Sequence, residues 1–127
     1  MGDINDDPVN DSQKVWLHGK EKLKDVGEND FFSPFYVMLK DGYGSLEYKG
    51  EWNIFDIILV NRNLASAPDG GLRIRPNAKG YYGNIFKRDF LTQQSGKYKG
   101  TPFRTFSNGK FINGYSDHYP TYIVISK

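Results

Sequence analysis

Three short stretches carry side chains able to hold a cation, align a water or move a proton: MGDINDDP, WNIFDIILV and SDHYP. The first gathers Asp3, Asn5, Asp6 and Asp7 in one run closed by Pro8. A disordered acidic leader accounts for that charge, but not for the order Gly-Asp-Ile-Asn. The second sets one acid, Asp56, inside an apolar segment, where an ionised carboxylate needs a partner. The third puts Asp117 beside His118, directly before the strand-like TYIVIS. A carboxylate next to an imidazole can bind a metal, orient a base or pair with phosphate. The same pair also serves elsewhere as a plain local cap.

The surrounding elements must bring these stretches together. Asn10 to His18 predicts a short helix, capped by Asn10 or Asp11, with Val15 and Trp16 facing inward. GKEKLKDVGEND is polar, holds two glycines and reads as a loop. FYVMLKDG predicts a brief helix stopped at Gly42, with Pro34 in its first turn. GSLEYKG alternates as a strand does, and WNIFDIILVN continues a β-rich run through Ile57, Ile58, Leu59 and Val60. APDGG reads as a turn, and LRIRP alternates apolar and basic residues up to Pro76. YYGNIFKRDFL fits a helix or a loop, and TYIVIS predicts a strand in the middle of a sheet. Strands interleaved with short helices predict a mixed α/β domain.

Length and composition bound the rest. The 127 residues suit one small domain with a single core. Nine Tyr, nine Phe and two Trp supply much of the apolar area, and each buried Tyr hydroxyl needs a partner. The absence of Cys excludes disulfides and thiolate metal sites. No apolar run approaches the ~18 residues that span a bilayer, and no basic-plus-apolar leader is apparent, so a membrane span or export signal is not expected. Residues 1–60 hold 6 Lys and Arg against 12 Asp and Glu, whereas residues 61–127 hold 11 against 3. Oppositely charged halves can simply attract each other. Equally, the early acids suit a cation, and Arg73, Arg75, Lys79, Lys87 and Arg88 suit a polyanion.

In this order, GDIN, WNIFDIILV and SDHYP resemble the endonuclease/exonuclease/phosphatase family, the DNase I-like metal-dependent phosphodiesterases. GSLEYKGEWNIFD, GKYKGTPFRTF and NGYSDHYP extend the likeness over most of the chain, in the manner of bacterial members from the Bacteroidota. The resemblance implies half of a four-layer α/β/β/α sandwich, with a mixed, mostly antiparallel sheet and short flanking helices. It implies that Asp3 orients or deprotonates the attacking water, and that Asn5 steadies that water and the phosphate. Asp117 would help hold Mg²⁺ or Mn²⁺. His118 would donate to a phosphate oxygen, with Asp56 paired to it to fix its tautomer. Arg104 is a candidate phosphate contact, and it equally suits a structural ion pair. His18 matches no motif and reads as a surface residue, while Trp52 and Asn53 read as packing or capping residues.

The family's first half, with the Asn and Glu that complete its metal site, has no counterpart in these motifs. Residues 1–127 are therefore expected to be the C-terminal half of a domain, weak or inactive alone, with weak Mg²⁺ binding. An exposed sheet face follows, to be covered by the missing half or by a second copy in a homodimer. The expected substrate is a phosphoester, with nucleic acid one candidate. A noncatalytic module that binds polyanions or sugars is the alternative, with Tyr81, Tyr82 and Phe103 available for stacking.

Overall fold

The computed structural model describes residues 1–127. Short strands succeed one another along the chain: β1 (Gly2–Asp3), β2 (Gly19–Lys20), β3 (Phe31–Phe32), helix α1 (Tyr36–Lys40), β4 (Leu46–Tyr48), β5 (Glu51–Asn53), β6 (Asp56–Ile57) and β7 (Val60–Asn61). Then come helix α2 (Arg62–Ala65), β8 (Arg73–Arg75), β9 (Gly83–Ile85), β10 (Phe106–Ser107), β11 (Lys110–Phe111) and β12 (Thr121–Ser126). The class is mixed α+β, and every strand pairing is antiparallel except β2 with β3. No helix is long and apolar enough to cross a membrane.

TYIVIS forms the one long strand and takes the middle of its sheet, in the order β8-β12-β9. Its two neighbours use different halves of it: Thr121–Ile123 pair with β9, and Val124–Ser126 with β8. Ile123 points into the protein and touches both core clusters, one around Phe32, Val60 and Ile74, the other around Phe35, Met38, Ile54 and Ile57. Side chains alternate between the faces of a strand, so Tyr122 and Val124 turn away from this core and stay 44% and 46% exposed.

The run WNIFDIILVN is not one strand. It breaks into β5, β6 and β7, because Ile54 and Ile57 both turn into the core at 0% and 3% exposure. A spacing of three cannot place two residues on one face of a continuous strand. The break is held from outside: the Ile54 N–H donates to Asp7 Oδ1 at 2.7 Å instead of to a neighbouring strand.

The segment Asn10–His18 holds a single π-helical turn, Ser12–Trp16. The inward face expected for Val15 and Trp16 is corrected, since these are 52% and 79% exposed and Gln13 is buried in their place. One wide turn points a single residue inward, so there is no stripe for the two to share. α1 ends with Asp41 at its C-cap, just before Gly42, and begins at Tyr36 with Phe35 at its N-cap, so Pro34 precedes the helix rather than lying in its first turn. The ambiguous YYGNIFKRDFL resolves into β9 and a 3₁₀ turn over Asp89–Leu91. Gly83 is required there, because a Cβ on it would lie 2.6 Å from the Phe35 ring.

Candidate active site

The antiparallel pairing of β1 with β6 sets Asp3 directly opposite Asp56. The chain turns sharply after β1: Asn5 adopts φ +54°, a left-handed conformation that Asn tolerates better than most residues. Its N–H donates to Asp3 Oδ1 at 3.0 Å, so the order Asp-Ile-Asn closes a local turn over the first carboxylate. Asp7 then ties the segment down through its bond from the Ile54 N–H.

The loop before β12 delivers the imidazole. The His118 N–H donates to Ser116 Oγ at 3.1 Å. The next residue, Tyr119, is buried at 1% exposure and anchors the loop by donating its N–H to the Ser45 carbonyl at 2.7 Å. Its hydroxyl pairs with Thr92 Oγ1 at 2.9 Å, and burial holds it above the ordinary tyrosine range while that bond pulls it back. From this base His118 Nδ1 meets Asp56 Oδ2 at 2.8 Å, across 62 residues of sequence. Ser45 Oγ donates to the same carboxylate oxygen at 2.6 Å, and Thr121 Oγ1 donates to the Asp56 carbonyl at 2.7 Å. Asp56 thus has the partners that an acid in an apolar run needs.

Asp3 completes the group, its Oδ2 lying 4.0 Å from His118 Nδ1. The ligand atoms of Asp3, Asp56 and His118 all lie within 4.8 Å of one another. They are not equally free. Asp56 Oδ2 and His118 Nδ1 engage each other, and Ser45 holds Asp56 further, whereas Asp3 is 44% exposed and meets the solvent. Such a donor set suits a hard divalent cation bound mainly through Asp3 and keeping several of its waters.

The remaining candidates lie outside this close group. Asp117 is exposed at the surface of the same loop. Arg104 donates from Nη2 to the Glu47 carbonyl at 3.1 Å and lies 6.0 Å from the Tyr98 ring centroid. His18 is exposed and pairs loosely with Asp30 at 3.6 Å. Ser45 went unnoticed in the sequence, since a serine beginning a strand carries no local signal, and only the fold sets it against a residue eleven positions away.

Asp7 is perturbed for a reason of its own. Burial pushes its carboxyl above the ordinary value of 3.8, the Ile54 N–H opposes this, and the Asp6 charge adds to the rise. The folded state therefore keeps this proton to higher pH than the unfolded chain does. Between the unfolded and folded values stability increases as pH falls, and above the folded value ionisation costs stability. Asp7→Asn keeps an oxygen for the Ile54 N–H and removes the charge. The variant is expected to be more stable than wild type at neutral pH, with the gain shrinking on acidification, as read from urea midpoints at several pH values.

The site is thus a paired carboxylate and imidazole beside a second, solvent-facing carboxylate, held at the ends of short antiparallel strands. The chain belongs to the endonuclease/exonuclease/phosphatase family, whose sequence profile matches residues 1–127. This gives it the fold of a phosphoester hydrolase family that generally uses divalent metals. No curated protein and no solved structure matches the chain.

Proposed function

We propose that this chain is the C-terminal half of a divalent-metal-dependent phosphodiesterase of nuclease type. The observation that supports this most is the 2.8 Å bond between His118 and Asp56, next to Asp3. In this reading Asp3 aligns the attacking water and takes its proton, and Asn5 steadies the water and the phosphate. His118 donates from Nε2 to the phosphate oxygen on which charge builds. An imidazole that also donates from Nδ1 to Asp56 is then the imidazolium, and Asp56, with Ser45, holds it in that orientation. Asp3 and Asp117 hold Mg²⁺ or Mn²⁺, which when bound neutralises charge on the phosphate. Arg104, held by the Glu47 carbonyl, meets a more distant phosphate of the substrate.

The rest of the metal site lies in the other half of the sandwich. That half, or a second copy of this chain, packs on the face of β12 that carries Tyr122 and Val124. The support is the exposure of these residues in the middle strand of a sheet.

Nicking of supercoiled plasmid tests the reading, because one cut per molecule is visible and slow turnover suffices. Nicking is expected with Mg²⁺ or Mn²⁺, and it should disappear on chelation. Nicking that persists after chelation, or that His118→Gln leaves unchanged, sinks the catalytic assignment. The noncatalytic polyanion-binding module would then stand in its place.

A further inference from the structure

A second cavity lies beside the framework that holds Asp56 and His118 and uses none of the proposed catalytic residues. It has a volume of about 390 Å³, inside the ~300–1,000 Å³ range of small-molecule sites. Its wall includes the rings of Trp52, Tyr43 and Tyr81, and the ammonium groups of Lys79 and Lys87 stand at its surface. No carboxylate lines it.

Both lysines keep their charge unneutralised, since neither forms an ion pair. Lys87 Nζ lies 5.1 Å from the Trp52 ring centroid and 5.4 Å from that of Tyr119, and it donates to the Gly100 carbonyl at 3.0 Å. Lys79 Nζ lies 5.6 Å from the Tyr43 centroid and 3.5 Å from its hydroxyl. The lysines are thus placed by aromatic faces and neutral oxygens, and each ammonium retains donors for an anion.

The wall is braced. Asn77 Oδ1 accepts from the N–H groups of Lys79 at 2.9 Å and Tyr81 at 3.1 Å, and its Nδ2 donates to Asn84 Oδ1 at 3.0 Å. Asn84 is buried at 8% exposure, and the Tyr81 hydroxyl donates to Asp41 Oδ2 at 2.6 Å on the far side of that ring. These bonds hold the wall in place. Trp52 is parallel to Tyr119, with ring centroids 6.4 Å apart.

We propose that this cavity binds a phosphomonoester carrying a flat ring, as in a nucleoside monophosphate. The ring lies against the aromatic wall, and the phosphate takes charge-assisted bonds from Lys79 and Lys87. The site is separate from the catalytic group and stands whether or not the chain turns over a substrate.

Trp52 supplies the readout. In a Trp16→Phe background it is the remaining indole, and the replaced side chain is 79% exposed. AMP is expected to change Trp52 fluorescence saturably, while adenosine and inorganic phosphate, each carrying half of the recognition, bind at least ~10-fold more weakly. Lys87→Gln and Lys79→Gln should each weaken AMP by ~10-fold or more. Both side chains are exposed, so the variants keep the fold, checked by their unchanged circular dichroism. A 5′-phosphorylated oligonucleotide binding more tightly than AMP would identify the ligand as a strand end, and weaker binding a free nucleotide. No saturable response to AMP, or equal affinity in wild type and both lysine variants, overturns the proposal.

Discussion

Replacing His118 with Gln is expected to lower metal-dependent phosphoester cleavage by ~10²–10⁴-fold, chiefly in kcat. The reason lies in the geometry. His118 Nδ1 is committed to Asp56 at 2.8 Å, and Asp56 is held in turn by Ser45 at 2.6 Å, so Nε2 is the nitrogen left for the substrate. Glutamine can donate a hydrogen bond but carries no positive charge, so the loss appears as charge builds on phosphate rather than when substrate binds. Asp56→Asn separates orientation from charge. It keeps an oxygen for Nδ1–H and Ser45 while removing the carboxylate, and should cost less than His118→Gln. The check is kcat and KM for both variants in parallel, with thermal unfolding as the control for structure. Equal activity in wild type and His118→Gln would remove His118 from the mechanism.

Phe35→Ala is expected to destabilise the fold by about 3–5 kcal/mol, the range for truncating a buried phenylalanine. Phe35 is 0% exposed and packs with Met38, Ile54 and Ile57. Its ring lies so close to Gly83 that an added Cβ there would sit 2.6 Å from it, with Pro34 O at 3.1 Å. Gly83 has no side chain to swing into the vacated space, and its backbone is fixed by pairing with Ile123. The cavity therefore stays largely open, and little of the lost contact is recovered. Against a typical total of ~5–15 kcal/mol, such a loss approaches global unfolding. Urea denaturation followed by circular dichroism measures it, and a shift below ~1 kcal/mol would mean that the site collapses freely. Ile57, next to Asp56, belongs to the same cluster, so the variant should also loosen the acid that orients His118.

The class of the fold and its central strand were legible because they rest on local signals. TYIVIS combines β-branched residues with an apolar run, and it is the middle strand of its sheet. The α1 segment was legible from Gly42, and the stretches that supply Asp3, Asp56 and His118 from their residue types. What stayed hidden depends on contacts between distant residues. The break of WNIFDIILVN is held by Asp7 capturing the Ile54 N–H across 47 positions, a contact outside the run. Val15 and Trp16 fit an amphipathic helix, but the turn is too short to form a buried stripe. Ser45 became visible only once the residue leading into β4 met Asp56. The cavity of Trp52 and Lys87 was equally out of reach, because a tryptophan before an acid reads as packing until its neighbours are known.

The pairing of β1 with β6, and the delivery of His118 by the loop before β12, also order events during synthesis. Asp3 precedes its partner Asp56 by 53 residues, and His118 follows shortly before β12. Since His118 and Asp56 are 62 residues apart, their bond closes a long loop whose entropic cost falls on a single late step. A growing chain therefore holds both acids before the imidazole is added. Until TYIVIS leaves the ribosome, both core clusters lack Ile123. The candidate site and the junction of the two cores are thus finished by the same stretch of chain.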